Sequence, residues 1–222
     1  MKVTLTFDNG PDPTGTTAWV LDVLRDHDVL TSFFVTGRQL EMPGGRALAE
    51  RAHAAGHWIG NHTFSHSIQF GESDDPGLPE REIGATEALI GELSHPLRFF
   101  RPYAGGEISA SLLSDAATRY LSAGGYTMAL WNSVPRDWEG GTAWIDRCLD
   151  DVMRRDWTVV VLHDWPTGAM QYLPDLLKRL DRAGAEIVQD IAPDCLPVRS
   201  GQIVGDLRAM TTSFGEIPRP RA

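Results

Sequence analysis

Apolar and polar residues alternate strictly at the start of the chain. Val3, Leu5 and Phe7 are separated by threonines, and the run ends in Asp8 and Asn9 before a Gly-Pro pair. Alternation with a period of two residues is typical of a β-strand, and the Gly-Pro pair predicts the turn that ends it. The pattern therefore predicts a strand with a carboxylate and an amide at its C-terminal end.

Apolar runs continue along the chain and are separated by segments of helical periodicity. The runs predict six further strands, at residues 29–35, 57–61, 97–100, 126–131, 157–162 and 185–188. Helical spacing of apolar residues predicts helices at residues 16–27, 46–55, 80–93, 109–121, 142–155 and 170–183. About seven strands that alternate with helices are typical of an α/β domain with a parallel sheet or a barrel.

The C-terminal part of the chain lacks this periodicity. Residues 190–222 contain proline and arginine but few regularly spaced apolar positions. We therefore predict a main domain over residues 1–189 and a C-terminal extension over residues 190–222 that packs on it or trails from it. With 222 residues and 42% hydrophobic content, the main domain has enough material for a substantial core.

Charge and composition narrow the classes of partner. The formal net charge of -10 argues against nucleic acid and anionic membranes, because the surface would repel phosphate groups. A neutral or cationic small molecule or oligosaccharide fits this charge better. Cys148 and Cys195 form no C-x-x-C motif, so we expect free thiols. No apolar leader or membrane-spanning run is present, which predicts a cytoplasmic protein, while the oligomeric state stays open.

Side chains capable of chemistry follow the predicted strands. Asp8, His62, Arg101, Trp131 and His163 each lie at or just past the C-terminal end of a strand. In a parallel barrel these ends form one rim, where barrel enzymes carry their active sites. The spacing therefore predicts that the five side chains meet at one site.

Two histidines, His62 and His66, are four residues apart and lack the glutamate of the metalloprotease helix motif. Imidazoles at this spacing lie on one side of a helical turn and can bind one ion at roughly 2.0–2.1 Å. Two surface histidines are the alternative, but the position after a strand favours a metal site. We expect structural or solvated roles for the other histidines, which are His27, His53, His57 and His95.

His163 ends the most hydrophobic predicted strand. A histidine that is partly buried there has a pKa that its neighbours can tune near neutral pH, which suits a general acid. A hydrogen-bonded core histidine is the alternative. Asp164 points to the opposite side of the strand, so we expect a structural role for it.

Arg101, Asp137 and two tryptophans complete the candidate site. Arg101 follows two phenylalanines, and its guanidinium could orient an ionised carboxylate or form a plain surface ion pair. Asp137 adds a second carboxylate. Trp131 and Trp138 are either core residues or aromatic faces of the kind that line sugar sites.

Several motifs together resemble those of the polysaccharide deacetylases of carbohydrate esterase family four, also called the NodB homology domain. That family's Thr-Phe-Asp-Asp-Gly-Pro motif resembles residues 6–11, and its Gly-His-x-Ile-Gly-Asn-His-Thr-x-x-His motif resembles residues 56–66. Shorter matches follow in the family's order at residues 33–37, 100–102, 137–138 and 161–163. The likeness runs from about residue 3 to residue 188.

The resemblance implies a fold, a reaction and a metal. The fold is a distorted, incomplete (β/α) barrel of about seven parallel strands, and residues 1–189 form its catalytic domain. The reaction is hydrolysis of the N-acetyl amide of a glucosamine-type sugar, which releases acetate. A divalent metal, usually zinc, is held in the family at the positions of Asn9, His62 and His66.

The resemblance also implies roles in proton transfer. Asp8 stands at the position of the general base, and Arg101 at that of the arginine that orients it. His163 stands at the position of the general acid, and Asp137 at that of the aspartate that supports the imidazolium.

Three departures from the family pattern bear on these roles. Asn9 replaces a metal-binding aspartate, so a neutral amide should bind the metal more weakly, or Asp8 could become a ligand and a poor base. In the segment whose backbone N–H binds the oxyanion, Tyr103 and Ala104 stand where the family has proline and tyrosine. Val134 stands where the fourth motif often begins with aspartate.

The leading hypothesis is a metal-dependent hydrolase of a linear amide that deacetylates a small or intracellular acetamido-sugar or oligosaccharide. A second hypothesis is a non-sugar amidase similar to the allantoinase-like relatives of the family. A third is a catalytically silent sugar-binding homologue in which Asn9 marks the loss of the metal. The identity and length of the sugar stay open.

Overall fold

Strands and helices alternate along residues 1–213, the part of the chain that the computed structural model describes. The strands are β1 (Lys2–Asp8), β2 (Ser32–Val35), β3 (Trp58–Asn61), β4 (Phe99–Phe100), β5 (Leu113–Ser114), β6 (Thr127–Met128), β7 (Trp157–His163), β8 (Glu186–Ile187), β9 (Val198–Arg199), β10 (Gln202–Ile203) and β11 (Thr211–Thr212). The α-helices are α1 (Thr16–Asp26), α2 (Gly37–Glu41), α3 (Gly45–Ala54), α4 (Ala85–Ile90), α5 (Asp115–Ala123), α6 (Ala143–Met153) and α7 (Leu173–Arg182). None of these helices is long and apolar enough to cross a bilayer.

The main sheet has the strand order β10-β9-β6-β4-β3-β2-β1-β7, and β8 also pairs with β1. The seven strands predicted from the sequence are all present and run parallel. A bridge between Ser133, after β6, and Val160 in β7 brings the two sides of the sheet together. The sheet therefore curls into a distorted, incomplete (β/α) barrel, which confirms the predicted fold.

The two faces of β1 have different neighbours because side chains alternate along a strand. Val3, Leu5 and Phe7 are buried in a core shared with the surrounding helices. Thr6 and Asp8 lie on the other face, inside the barrel, where both meet the same arginine. The alternation seen in the sequence thus aims Asp8 at the barrel interior.

The described part of the C-terminal extension packs against the main domain. β9 pairs with β6 in the antiparallel direction, and Leu130 donates a backbone hydrogen bond to the carbonyl of Cys195. Cys195 and Val198 are buried in the core inside the barrel. Cys148 is also buried, and both cysteines are free thiols, as expected. Residues 214–222, the end of the predicted extension, lie outside the described residues.

Several predicted boundaries were wrong. The helix predicted over residues 109–121 starts at Asp115, because Leu113–Ser114 pairs with β11 from the distant C-terminal segment. The helix predicted over residues 80–93 opens with a π-helical turn, Glu80–Gly84, before α4. The short helix α2 was missed.

Several strands were also predicted too long, two of them by three residues or more. The strand predicted over residues 29–35 begins at Ser32, because Asp28 has a left-handed backbone and Leu30 is exposed. The strand predicted over residues 126–131 pairs regularly only at Thr127–Met128. Beyond it the chain bends towards β7, where Asn132 donates to the carbonyl of Val159. Tertiary contacts of this kind override local strand propensity.

The start of α2 ties together two loops that come from different strands. The consecutive backbone N–H groups of residues 36–38 donate to the carbonyls of Gly10, Thr63 and Phe64, each at 3.0 Å. A Cβ on Gly37 would lie 2.2 Å from the ring of Phe64, so only glycine fits at this close approach. The turn after β1 and the loop after β3 are therefore held in one arrangement.

We predict that Gly37→Ala lowers the free energy of unfolding by about 1–3 kcal/mol, because the added methyl overpacks against Phe64. Gly105→Ala is the matched control, since a Cβ there meets nothing within 4 Å. Urea denaturation of both variants measures the difference. Equal stability of the two variants would show that the approach of Phe64 does not constrain residue 37.

Candidate active site

A buried ion pair joins Asp8, at the end of β1, to Arg101, which follows β4. Arg101 is completely buried, and its Nη1 donates to Asp8 Oδ1 and to Thr6 Oγ1, both at 2.7 Å. Its Nε and Nη2 donate to the carbonyls of Ala129 and Leu130 at 3.1 and 3.3 Å. A buried guanidinium needs such partners, because an unpaired charge away from water is costly. The network holds one carboxylate oxygen of Asp8 in place.

Asp8 is ionised at neutral pH. Burial raises the pKa of its carboxyl, but the charge and hydrogen bond of Arg101, with smaller contributions from the histidines His62 and His163, outweigh burial and lower it below the ordinary value. Its second oxygen, Oδ2, lies 3.5 Å from Nε2 of His62. One carboxylate oxygen is thus held by the guanidinium and the other faces an imidazole.

His62 and His66 lie side by side after β3, with ring centroids 4.8 Å apart. Nδ1 of His62 is 2.8 Å from the carbonyl oxygen of Arg101. Because a carbonyl only accepts, Nδ1 carries the proton and Nε2 presents its lone pair. Burial lowers the pKa of His62, and it lowers the pKa of His66 to about 3. Both rings are therefore neutral donors of electron pairs at neutral pH.

Glu82 anchors the loop that carries the two histidines. Its Oε2 accepts from the backbone N–H groups of Phe64 and Ser65 at 2.9 Å, and its Oε1 accepts from the Ser65 hydroxyl at 2.7 Å. Thr63 and His66 both have left-handed backbones, which cost energy outside glycine and need such support. We missed Glu82 in the sequence. In the sequence, Glu82 appears only as an acidic residue beside the apolar Ile83 in a predicted helix. In the structure this segment is a π-helical turn.

Asn9 carries a buried acceptor without a partner. Its backbone is left-handed, with φ of 74°, a conformation that asparagine tolerates. Its Oδ1 is buried and accepts no hydrogen bond from any described residue. Buried polar atoms are nearly always paired, so this oxygen is poised for a ligand. Among residues 1–213, no three histidine, cysteine or acidic side chains form a metal cluster, but the Asn9 oxygen and two neutral imidazoles are donors that fit a divalent ion.

His163 ends β7 and pairs with Asp137, which is completely buried. His163 Nδ1 lies 2.8 Å from Asp137 Oδ1, and the backbone N–H of His163 donates to Asp137 Oδ2 at 3.0 Å. Burial lowers the pKa of His163, but the hydrogen bond and charge of Asp137, with help from Asp8 and Asp164, outweigh burial and raise it above 6.5. His163 therefore holds its proton more firmly than an exposed histidine.

These groups face one cleft with a volume of about 300 Å³. Eight of the eleven predicted site residues line it, namely Asp8, Asn9, His62, His66, Ala104, Trp131, Trp138 and His163. Arg101 and Asp137 lie behind Asp8 and His163, and the ring of Tyr103 packs against His66 at 4.4 Å. The structure thus brings every predicted site residue together.

Trp165 also lines the cleft and was missed, although it stands only two residues past His163. It is 39% exposed, and Trp138 is 42% exposed. The rings of Trp138 and His163 pack in a T-shaped arrangement with their centroids 5.1 Å apart. Two exposed indoles therefore border the cleft.

Asp164 lies beneath the turn that follows β1. Its Oδ2 accepts from the Thr17 hydroxyl at 2.6 Å, and burial raises the pKa of its carboxyl to about 7. A Cβ on Gly10 would lie 2.1 Å from Asp164 Oδ2, so the turn packs directly on this carboxyl. These contacts are internal to the fold.

Comparison with known proteins decides the family. The family model for polysaccharide deacetylase matches residues 1–128, more than half of the chain. The chain belongs to the polysaccharide deacetylase family. The resemblance inferred from the motifs is thereby confirmed, and the chain is a hydrolase of the deacetylase type, acting on carbon–nitrogen amide bonds.

Relatives of this polysaccharide deacetylase cover most of its length. The chitooligosaccharide deacetylase of Rhizobium leguminosarum bv. trifolii is 34% identical over 167 residues, which are 73% of this chain and 71% of the relative. The peptidoglycan-N-acetylglucosamine deacetylase of Bacillus cereus is 30% identical over 182 residues, 80% of this chain and 79% of the relative. Among solved structures, a family 4 acetyl xylan esterase from Clostridium thermocellum in complex with a cobalt ion superposes with a TM-score of 0.68 at 28% identity, covering 85% of this chain and 88% of the esterase.

The raised pKa of His163 gives a pH-dependent prediction. The pair with Asp137 stabilises the fold fully below the unfolded-state pKa of about 6.5, and this contribution is lost as pH rises through the higher folded-state pKa. We predict that Asp137→Asn lowers the pKa of His163, measured by NMR titration of the ring. It should also lower the free energy of unfolding more at pH 6 than at pH 9, by about 1–3 kcal/mol at pH 6.

Asp146→Asn is the control for this pair, because Asp146 forms an exposed ion pair with Arg179. It should leave the NMR titration of His163 unchanged. An unchanged pKa of His163 in Asp137→Asn would contradict the account of this pair.

Proposed function

We propose that this polysaccharide deacetylase removes the acetyl group from an N-acetylated sugar, with Asp8 as general base and His163 as general acid. The observation that carries the proposal is that an ionised carboxylate and a histidine with a raised pKa face one cleft. Each has its own buried partner, Arg101 and Asp137. Titratable groups whose surroundings push their pKa values apart are the usual acid and base of an active site.

The chain's own groups can perform both proton transfers. Asp8 takes a proton from water as the water oxygen attacks the carbonyl carbon of the acetamide. His163 then gives its proton to the amide nitrogen as the carbon–nitrogen bond breaks. Acetate and a free amino sugar leave, Asp8 releases its proton to solvent and His163 takes one up from solvent, so the atoms balance without a further reactant. Asp137 stabilises the imidazolium before the transfer and orients the ring.

We assign a divalent metal site to Asn9, His62 and His66, with zinc as the first candidate. Support comes from the unpartnered Asn9 oxygen and the two neutral imidazoles, and a related esterase was solved with a cobalt ion. A metal bound there would polarise the acetamide carbonyl and increase the acidity of water. Because the asparagine is neutral, it binds a cation more weakly than aspartate would.

We assign the oxyanion site to the backbone N–H groups of Tyr103 and Ala104. Neither N–H donates to a described residue, so both are free to bind an oxygen that gains negative charge. Ala104 lines the cleft directly, whereas Tyr103 packs on His66. The displaced tyrosine side chain therefore supports a metal-ligand histidine rather than the oxyanion.

The rim of the cleft favours a sugar over a ureide as the substrate. Trp138 and Trp165 are exposed beside the reacting groups, and indole faces commonly bind sugar rings through their apolar side. The names of the two relatives, which specify chitooligosaccharide and peptidoglycan N-acetylglucosamine, support the same substrate class. The relatives' names favour neither the non-sugar amidase nor the catalytically silent protein.

We predict that the purified protein releases acetate from N-acetylglucosamine oligomers in the presence of zinc or cobalt. His163→Gln removes the proton donor and should lower kcat by about 10²–10⁴-fold, measured by an acetate assay. His27→Gln, at an exposed histidine outside the cleft, is the matched control. Hydrolysis of allantoin or a formamide without acetate release from the oligomers would support the amidase instead.

A second prediction concerns the metal. Asn9→Asp should raise the affinity for zinc by about tenfold or more, because it adds a negative ligand at a position whose left-handed backbone aspartate also tolerates. Calorimetric titration of zinc measures the change. Equal zinc affinity of the two proteins would mean that residue 9 is not a ligand, and activity gained only in Asn9→Asp would favour the silent protein.

A further inference from the structure

A second lobe of about 350 Å³ adjoins the reaction cleft. Asn9, His66 and Trp165 line both cavities, so the lobe and the cleft are continuous at these side chains. The remaining residues of the lobe are Thr36, Arg38, Gln39 and Ser65. A sugar whose acetamide lies between Asp8 and His163 can therefore extend a substituent or a neighbouring unit into the lobe.

The lobe has a positive charge and no negative one. Its only charged side chain at neutral pH is Arg38, and no carboxylate lines it. Arg38 is exposed, and within residues 1–213 its guanidinium makes no ion pair. The chain carries 30 acidic and 20 basic residues, and many of its surface arginines are paired, such as Arg25 and Arg51 with Asp22. An unpaired guanidinium in a cavity is therefore a local exception to the negative surface.

The backbone of Arg38 is fixed relative to the reaction cleft. Its N–H donates to the carbonyl of Phe64, in the loop that carries His66, and the N–H of Thr36 donates to Gly10, directly after Asn9. These N–H groups are used, so recognition in the lobe depends on side chains. Arg38, Gln39 and Thr36 supply a guanidinium, an amide and a hydroxyl that can donate hydrogen bonds.

We propose that this lobe is a subsite for a carboxylate carried by the substrate, with Arg38 as the residue that binds it. A guanidinium matches a carboxylate with two parallel hydrogen bonds, and the neighbouring neutral donors can satisfy its other lone pairs. The substrate class is then an acetamido-saccharide with an acidic substituent, in contrast to the neutral or cationic substrate expected from the net charge. The proposal rests on the proposed function, since it places the acetamide in the adjoining cleft.

The test compares two disaccharides that differ by one carboxylate-bearing group. N-acetylglucosaminyl-N-acetylmuramic acid carries a lactyl ether, and N,N′-diacetylchitobiose lacks it. Calorimetry in the His163→Gln background, where hydrolysis is slowed, gives the ratio of their dissociation constants. We expect about fivefold tighter binding of the acidic disaccharide at low salt, a preference that Arg38→Gln removes and that weakens as salt increases.

Arg119→Gln is the matched control, because it removes the same charge from an exposed position outside both cavities. It should keep the preference. Equal affinities for the two sugars, no binding of either, or a preference that survives Arg38→Gln would overturn the proposal. Acetate release by the parent protein is measured separately, so an absent deacetylase activity with an intact preference would refute the proposed function and leave the subsite standing.

Discussion

The ion pair between Asp8 and Arg101 is the interaction on which the rest of the site depends. Both charges are buried, and the guanidinium also binds Thr6, Ala129 and Leu130. It therefore links β1 to the chain segments after β4 and β6 through one side chain. Removing either charge would leave the other buried without a partner, which typically costs about 3–5 kcal/mol. The same bonds keep Asp8 ionised and correctly directed, so the stability of the barrel and the basicity of the site are coupled.

The other side chains of the candidate site are held by contacts from outside their own elements. Asp137 holds His163, Glu82 holds the loop after β3, and the start of α2 joins that loop to the turn that carries Asn9. Several backbones around the cleft are left-handed at residues other than glycine, including Asn9 and His66. Such conformations cost energy and persist where surrounding structure imposes them. Part of the backbone strain therefore lies where the chain presents side chains to the cleft.

Much of this arrangement follows from local pattern. The alternation in β1 predicts that Asp8 faces away from Val3, Leu5 and Phe7, and parallel strands bring their C-terminal ends to one rim. The positions of His62 and His163 at strand ends follow in the same way, because each histidine stands where an apolar run ends.

Contacts between distant segments could not be read from local pattern. Glu82 supports the histidine loop only because a π-helical turn aims it there, and Arg38 lines the lobe beside the cleft only because the short helix α2 packs on two loops. The pairing of β5 with β11 joins residues about a hundred positions apart, which no window of sequence contains. Trp165 was visible as a residue, but its role depends on the curvature of the sheet.

We propose that the side-chain oxygen of Asn9 completes a metal site beside Asp8, which stays paired to Arg101. Anomalous diffraction at the zinc absorption edge, from crystals of the zinc-loaded protein, tests this most directly. We expect one zinc peak bonded to Asn9, His62 and His66, with Asp8 still paired to Arg101. A peak bonded to Asp8 in place of Asn9, or no zinc at these residues, would contradict it.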